Sequence, residues 1–368
     1  KVKIQPIPGY DDAIRAAWMS DDLPDLIMVD GPNMANYVWS GMLKPINEMV
    51  NVKVLDQMLP GIIAQGTYGP DKKIYMLGQG DSSVALWGNK KYLEAAGINI
   101  PQTPAEAWNY QEFTEVLGKL KDVKGVEWPL DFKLNYGGEW NTYGYYPFNK
   151  SNGGDIIDQK TWVADGTINS DKTIDAIMKM YAWKRQGYLV PSTAGDNRFF
   201  GDKTAALSWV GNWMWRAHSE ALGDDLVMIP APKFGERAYA PNGGWGWAVP
   251  SSTKNDAEIT KFLNFALSKE QVAEWSKTTG YIPARMDSME LTPMFTEGGI
   301  AHVMALQAKE IAVVRPVHPA YPVITSEFGK ALKNIFEGAD PKTALNRAAM
   351  VIDDDIEDNM GYPPFAKQ

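Results

Sequence analysis

Three short stretches of the chain interleave aromatic rings with polar groups and glycine. They are Gly138, Glu139, Trp140, Asn141, Thr142, Tyr143; then Trp209, Gly211, Asn212, Trp213, Met214, Trp215; and then Asn242, Gly243, Gly244, Trp245, Gly246, Trp247. An indole offers a flat apolar face with one N–H at its edge. A pyranose offers the complement, a patch of C–H groups ringed by hydroxyls that need in-plane partners. Asp, Glu, Asn, Gln and Arg supply such partners, and in a dry cleft each one left unmet costs about 1–3 kcal/mol. A lone Trp is more often core than platform, but the glycines beside Trp213 and Trp245 mark close backbone approach or a hinge. Carboxylates allow a second chemistry. A glycosidase needs only two of them facing each other about 5–9.5 Å apart, and Asp81 with Glu139 is the pair to weigh.

Other catalytic signatures are missing. There is no GxSxG elbow, no GxxxxGK[ST] loop, no HExxH and no GxGxxG after a strand. The three histidines, His218, His302 and His318, are far apart in sequence, so no metal site is expected from them. Without cysteine there are no disulfides, thiol nucleophiles or Cys-based zinc sites. The 368 residues carry 36 Lys+Arg against 45 Asp+Glu, a net charge of -9 with no basic cluster, which disfavours nucleic acid and anionic membranes. No apolar run approaches the ~20 residues that span a bilayer, and Lys1, Val2, Lys3, Ile4 does not read as a signal peptide. A soluble globular chain of two domains, with any export signal already removed, is expected.

The elements that must position these residues follow from periodicity. Val2, Ile4 and Ile7 alternate like a half-buried strand, and Asp11 or Asp12 is placed to cap a helix carrying Ile14, Ala17 and Trp18. Leu26 to Val29 reads as a central parallel strand buried on both faces. It stops at Asp30, Gly31, Pro32, and the loop beyond a strand's carboxyl end makes Asp30 and Asn33 site candidates. Capping of the next helix is the plainer role for Asp30. Two apolar stretches, Ile74 to Leu77 and Val84 to Trp87, flank a polar joint suited to a crossing between domains. A capping box at Thr103 to Glu106 opens a helix through Phe113, Val116, Leu117 and Leu120. Further helices are expected over about 171–186, 256–277, 324–337 and 341–360. In the last, Asp353, Asp354, Asp355, Glu357 and Asp358 read as a solvated face rather than a calcium site.

Several loose motifs occur in one order along nearly the whole chain. Asp22, Leu23, Pro24, Asp25, Leu26 precedes Ser40, Gly41, Met42, Leu43, Lys44, Pro45, Ile46. Asn89, Lys90, Lys91, Tyr92, Leu93 is followed by Ala96, Gly97 and Trp108, and Phe200 to Leu207 runs on to Gly211, Asn212, Trp213. Gly243 to Trp247, Gly280 to Pro283, and Gly338 to Pro341 with Ala344 and Leu345 complete the series. In this order they resemble the extracellular solute-binding proteins of carbohydrate ABC transporters, the maltose-binding-protein-like family. Relative to that pattern, a strand and a long helix that would stand before the segment Lys1 through Ile7 are expected to be missing.

The resemblance implies an α/β, two-lobed periplasmic-binding-protein-like fold with mainly parallel sheets, three hinge crossings and a C-terminal helical segment. The N-terminal lobe would comprise 1–81 plus 247–285, and the C-terminal lobe 82–246 plus 286–368. The implied function is non-catalytic capture of a sugar in the interlobe cleft, without a cofactor, and delivery to the membrane permease of an ABC importer by an exported monomer. Ligand candidates carried over by motif are Asp30, Asn33, Gln79, Asp81, Glu139, Trp140, Tyr143, Asn212, Trp213, Gly243, Trp245 and Arg315. Arg315 allows an acidic sugar derivative or a glycerophosphodiester as the ligand instead, by forming a fork, although a structural ion pair is an equal role for it.

Overall fold

A computed structural model describes residues 2–363. Two four-stranded sheets organise the chain. In the first, Trp245–Pro250 is central, paired with Ile27–Asp30 and Leu43–Lys44 and also with Met76–Leu77. In the second the order is Leu226–Ile229, Val84–Asn89, Ala205–Gly211, Trp128–Asp131.

The expectation of mainly parallel sheets is corrected. Every pairing in the first sheet is antiparallel. In the second only Trp128–Asp131 runs parallel to its neighbour. The apolar run before Asp30 is therefore not a two-faced parallel strand: Ile27 and Val29 are buried, whereas Met28 and Asp30 are half-buried. An unbroken apolar run reports burial, but it carries no information on the direction of its partner.

The chain passes from the first sheet to the second between Leu77 and Val84, returns between Ile229 and Trp245, and leaves the first sheet again after Pro250. Short ladders stitch these passages together. Gly80–Asp81 pairs with Ile282–Pro283, Ala240–Pro241 with Ala312–Val313, and Ser82 bridges to Gly243. One hydrophobic core continues across them, with Trp87 and Val210 of the second sheet clustered with Leu77 and Val249 of the first and with Ile282. A larger core behind the second sheet gathers Phe113, Phe148, Trp183, Trp209 and Phe328.

Local expectations fare unevenly. No strand forms over Val2 to Ile7, and Val2 and Ile4 are exposed. The first helix, Tyr10–Met19, starts after Gly9 rather than at an aspartate cap, though Ile14 is buried. Thr103 opens only a 3-10 turn. The real capping box is Asn109 with Glu112, heading Tyr110–Lys121 and burying Phe113, Val116, Leu117 and Leu120. The 256–277 helix is two helices, Asp256–Ala266 and Lys269–Thr279, broken where Ser268 takes an extended conformation. The C-terminal helices are Tyr321–Phe336 and Pro341–Asp358. Asp353 is not simply solvated, because its carboxylate accepts the backbone N–H groups of Ala164 and Asp165.

Candidate functional site: an arginine between two carboxylates beside an aromatic wall

Asp30 ends its strand and leads into the 3-10 turn Gly31–Asn33, whose capping its side chain does not provide. It faces Arg315 instead, at 3.5 Å from Nη2. The other guanidinium arm, Nη1, donates to Glu139 Oε1 at 2.6 Å. Glu139 stands just ahead of the helix Trp140–Ser151, whose Gly144 carbonyl accepts the Trp209 indole N–H of the second sheet, so Arg315 joins carboxylates associated with the two sheets. Burial works against the Arg315 charge, yet Asp30 and Glu139 outweigh it and hold the guanidinium above its ordinary pKa. Its plane lies over the Tyr143 ring, 4.9 Å from the centroid. Glu139 also accepts from Thr325 Oγ1 at 2.7 Å and from the Tyr321 hydroxyl, one turn apart on Tyr321–Phe336.

The aromatic wall adjoins this cluster through Tyr143. Trp213 lies 6.0 Å from Tyr143 and 6.1 Å from Trp140, edge-on to the latter. It rests directly on Gly211, where an added Cβ would come within 2.0 Å of the indole. Trp140 is buried and gives its N–H to the Tyr145 hydroxyl at 3.1 Å. Trp245 is 39% exposed, directly opposite Asp30 in the strand register, with its ring against Tyr10. Asn33 is half-buried on the turn after Asp30.

Other candidates form a knot at the crossings. Asp81 is 1% exposed, and its carboxylate accepts from the Gly243 N–H at 3.0 Å and from Asn242 Nδ2 at 2.8 Å. Asn212 Nδ2 donates to the backbone oxygens of Asp81 and Gly280. Gly243 has no room for a side chain, since a Cβ would meet the Tyr143 ring at 2.4 Å. Burial pushes Asp81 up to about 7, against the hydrogen bonds from Gly243 and Asn242 and the charge of Arg315. Asp81, Asn212 and Gly243 thus serve the crossings rather than a ligand surface. Of the acid–base pair considered, Asp81 is held by two donors at the crossings and closed to solvent, whereas Glu139 is partly exposed. Gln79, half-buried, donates to Ala266 O and accepts from the Trp247 indole N–H, within the first half of the molecule.

An open groove of about 840 Å³ lies elsewhere, lined by Tyr68, Lys72, Trp162, His318 and Tyr362 among others, and none of the predicted residues borders it. Volume alone does not outweigh chemistry: the Arg315 cluster concentrates the paired charges, and the groove has none. Sequence reasoning missed Tyr321 and Thr325, whose i, i+4 spacing was the available signal, and also Asn242, Ser82 and Tyr136. Among the described residues no group of three His, Asp or Glu side chains is arranged to hold a metal, and no helix is long and apolar enough to cross a membrane.

Comparison with known proteins bears on the family and the fold. The sn-glycerol-3-phosphate-binding periplasmic protein UgpB of Salmonella typhimurium is 25% identical over 299 residues, 75% of this chain and 65% of the relative's length. The chain therefore spans about two thirds of that relative. Solved structures share the two-lobed fold. The sugar-binding protein MalE of Xanthomonas citri superposes with a TM-score of 0.79 at 16% identity, covering 98% of this chain and 91% of that one. A solute-binding protein of Thermotoga lettingae bound to α-D-tagatose gives 0.78 at 22% identity, covering 94% and 88%. UgpB of Mycobacterium tuberculosis with glycerophosphocholine gives 0.75 at 19%, covering 94% and 87%. Residues 1–301 match the family described as bacterial extracellular solute-binding protein, and the chain belongs to that family.

Proposed function

We propose that this protein captures a neutral sugar between two lobes and presents it to the permease of an ABC importer, acting outside the cytoplasmic membrane as a monomer and without catalysis. The lobes are residues 1–81 with 247–285, and 82–246 with 286–368. The observation that carries the reading is Arg315, held between Asp30 and Glu139 beside the Trp213 and Tyr143 rings. Carboxylate oxygens from both halves are thereby brought next to an aromatic wall, the pairing of acceptors and apolar faces that a pyranose needs. A ligand spanning the halves stabilises the closed arrangement by its differential affinity for it.

The charge balance selects among ligands. Two carboxylates against one guanidinium leave the cluster net negative, and both arms of the Arg315 fork are already engaged. A phosphate would have to displace one carboxylate and lie near it. That favours an uncharged polyol. A second reading, a glycerophosphodiester, rests on the same buried guanidinium and on the kinship with UgpB. Hydrolysis of glycosides is disfavoured by the burial of Asp81.

A tryptophan-fluorescence screen tests the assignment, since Trp213 and Trp245 lie at the cluster. A saturable change with a neutral mono- or disaccharide, and none with glycerol 3-phosphate or glycerophosphocholine, is the expected result. Saturation only by the phosphate compounds would replace the sugar with the second reading, and release of free sugar from a glycoside would contradict the non-catalytic role.

A further inference from the structure

The open groove away from the Arg315 cluster is lined by a stack of rings. Trp162, half-buried, lies on His318 with centroids 4.3 Å apart and planes 30° from parallel, and the Tyr362 ring meets His318 edge-on at 5.4 Å. More of the lining comes from the helix Pro60–Gly66, which contributes Ile63, and from the hairpin that pairs Thr67–Tyr68 with Lys73–Ile74, which contributes Tyr68 and Lys72.

Left-handed backbone concentrates here. Of the seven non-glycine residues with positive φ among those described, Lys72 (48°), Tyr362 (53°) and Trp162 (56°) all border this groove. Such conformations persist only where the surroundings fix them, and they gather at ligand clamps. The Trp162 turn is fixed at both ends. Its own N–H donates to Asp158 O at 2.7 Å, and the Asp158 carboxylate accepts the Lys160 N–H at 2.7 Å. Beyond the ring, the Asp353 carboxylate accepts the N–H groups of Ala164 and Asp165.

The polar groups select the ligand. No Asp, Glu, Asn or Gln side chain lines the groove, so sugar hydroxyls, each both donor and acceptor, would find few side-chain acceptors there. Lys72 is the one charged side chain in the lining; it is exposed, and the neighbouring Asp71 is held by Lys73 at 2.9 Å. His318 adds no charge at neutral pH, because the Ala320 N–H donates to its Nδ1 and burial lowers its pKa from 6.5 to about 4.

We propose that this groove is a second binding site, for an aromatic carboxylate whose ring lies on Trp162 and whose charge is met by Lys72. The site goes beyond the sugar reading and does not rest on it, since Asp30, Glu139 and Arg315 do not border the groove.

The test titrates naphthalene-2-carboxylate into the full ¹⁵N-labelled chain, with naphthalene-2-carboxamide as the uncharged counterpart and methyl α-glucopyranoside as the sugar. The readout is the Trp162 indole resonance, assigned by its loss in Trp162→Phe. The expected result is a saturable shift with the carboxylate and about threefold weaker binding of the carboxamide, the scale of an exposed ion pair. Trp162→Ala should weaken the carboxylate at least about tenfold, read by calorimetry. In Lys72→Gln, an exposed change, carboxylate and carboxamide should bind alike. That variant decides the matter where Trp162→Ala does not fold. No saturable shift with the carboxylate, equal affinity for both naphthalenes in the parent, or a shift produced by the glucoside instead overturns the proposal.

Discussion

Arg315 Nη1 and Glu139 Oε1 meet at 2.6 Å just ahead of the helix Trp140–Ser151, and Asp30, at the end of a strand of the first sheet, lies 3.5 Å from Nη2. The guanidinium is 5% exposed, so the pair is shielded from solvent on its positive side while Glu139 keeps partial access to water.

Removing the cation from this arrangement leaves two carboxylates near one another with no counter-ion. Arg315→Ala should lower unfolding free energy by on the order of 3 kcal/mol. Arg315→Lys should recover part of this, because an ammonium keeps the charge but not the fork. Denaturant titrations of the three proteins measure the difference, and equal midpoints for parent and alanine variant would contradict the bridge.

Gly211 is required by Trp213 and not by its own backbone, since its φ of -84° is open to any residue. The added methyl of Gly211→Ala would press on the indole from 2.0 Å. The ring must tilt, and saccharide affinity should fall about tenfold, equivalent to about 1.4 kcal/mol. Trp213→Ala should lose at least as much. Fluorescence titration reads both, and an unaltered curve for either variant removes Trp213 from the site.

Asp81 predicts a particular pH dependence. Its pKa is raised by burial from 3.8 to about 7, so the folded protein binds more protons than the unfolded chain between those values. Its contribution to stability is therefore complete below pH 3.8 and is lost as pH rises through about 7. Asp81→Asn mimics the protonated carboxyl. It finds a partner if the Asn242 amide turns, because Asn242 Oδ1 is buried without one. The variant should gain thermal stability relative to the parent at pH 8 and lose that advantage at pH 5. A constant difference across this range would contradict the assignment.

His218 acts with the opposite sign. Burial, aided by the Lys133 charge, lowers its pKa from 6.5 to about 3, and neither ring nitrogen has a hydrogen-bond partner. The unfolded chain binds the extra proton, so stability present above pH 6.5 is lost as pH falls towards about 3. His218→Leu, filling the space between Trp87 and Phe199, should narrow the gap in melting temperature between pH 7 and pH 4. An unchanged gap would show that another group governs acid sensitivity.

The sequence made Asp30, Glu139, Tyr143, Trp213 and Arg315 legible as a group because motif order locates the ends of strands and the starts of helices. What it could not supply was connectivity. The direction of the strand before Asp30 depends on Trp245–Pro250, more than two hundred residues away along the chain. Asp81 and Asn212 carried polar groups in the right segments, yet those groups turn toward the crossings, and side-chain direction at a two-residue strand such as Gly80–Asp81 is not written in periodicity. Lys133 was invisible for a related reason: nothing in the run Asp131, Phe132, Lys133 marks a completely buried lysine with a left-handed backbone.

Isothermal titration calorimetry of the intact chain against neutral hexopyranosides and their disaccharides, with glycerol 3-phosphate and glycerophosphocholine in parallel, tests the central claim most directly. The account predicts saturable one-to-one heat from at least one neutral sugar, lost in Trp213→Ala and weakened in Arg315→Ala. Heat from the phosphate compounds alone, or sugar binding indifferent to both substitutions, would contradict it.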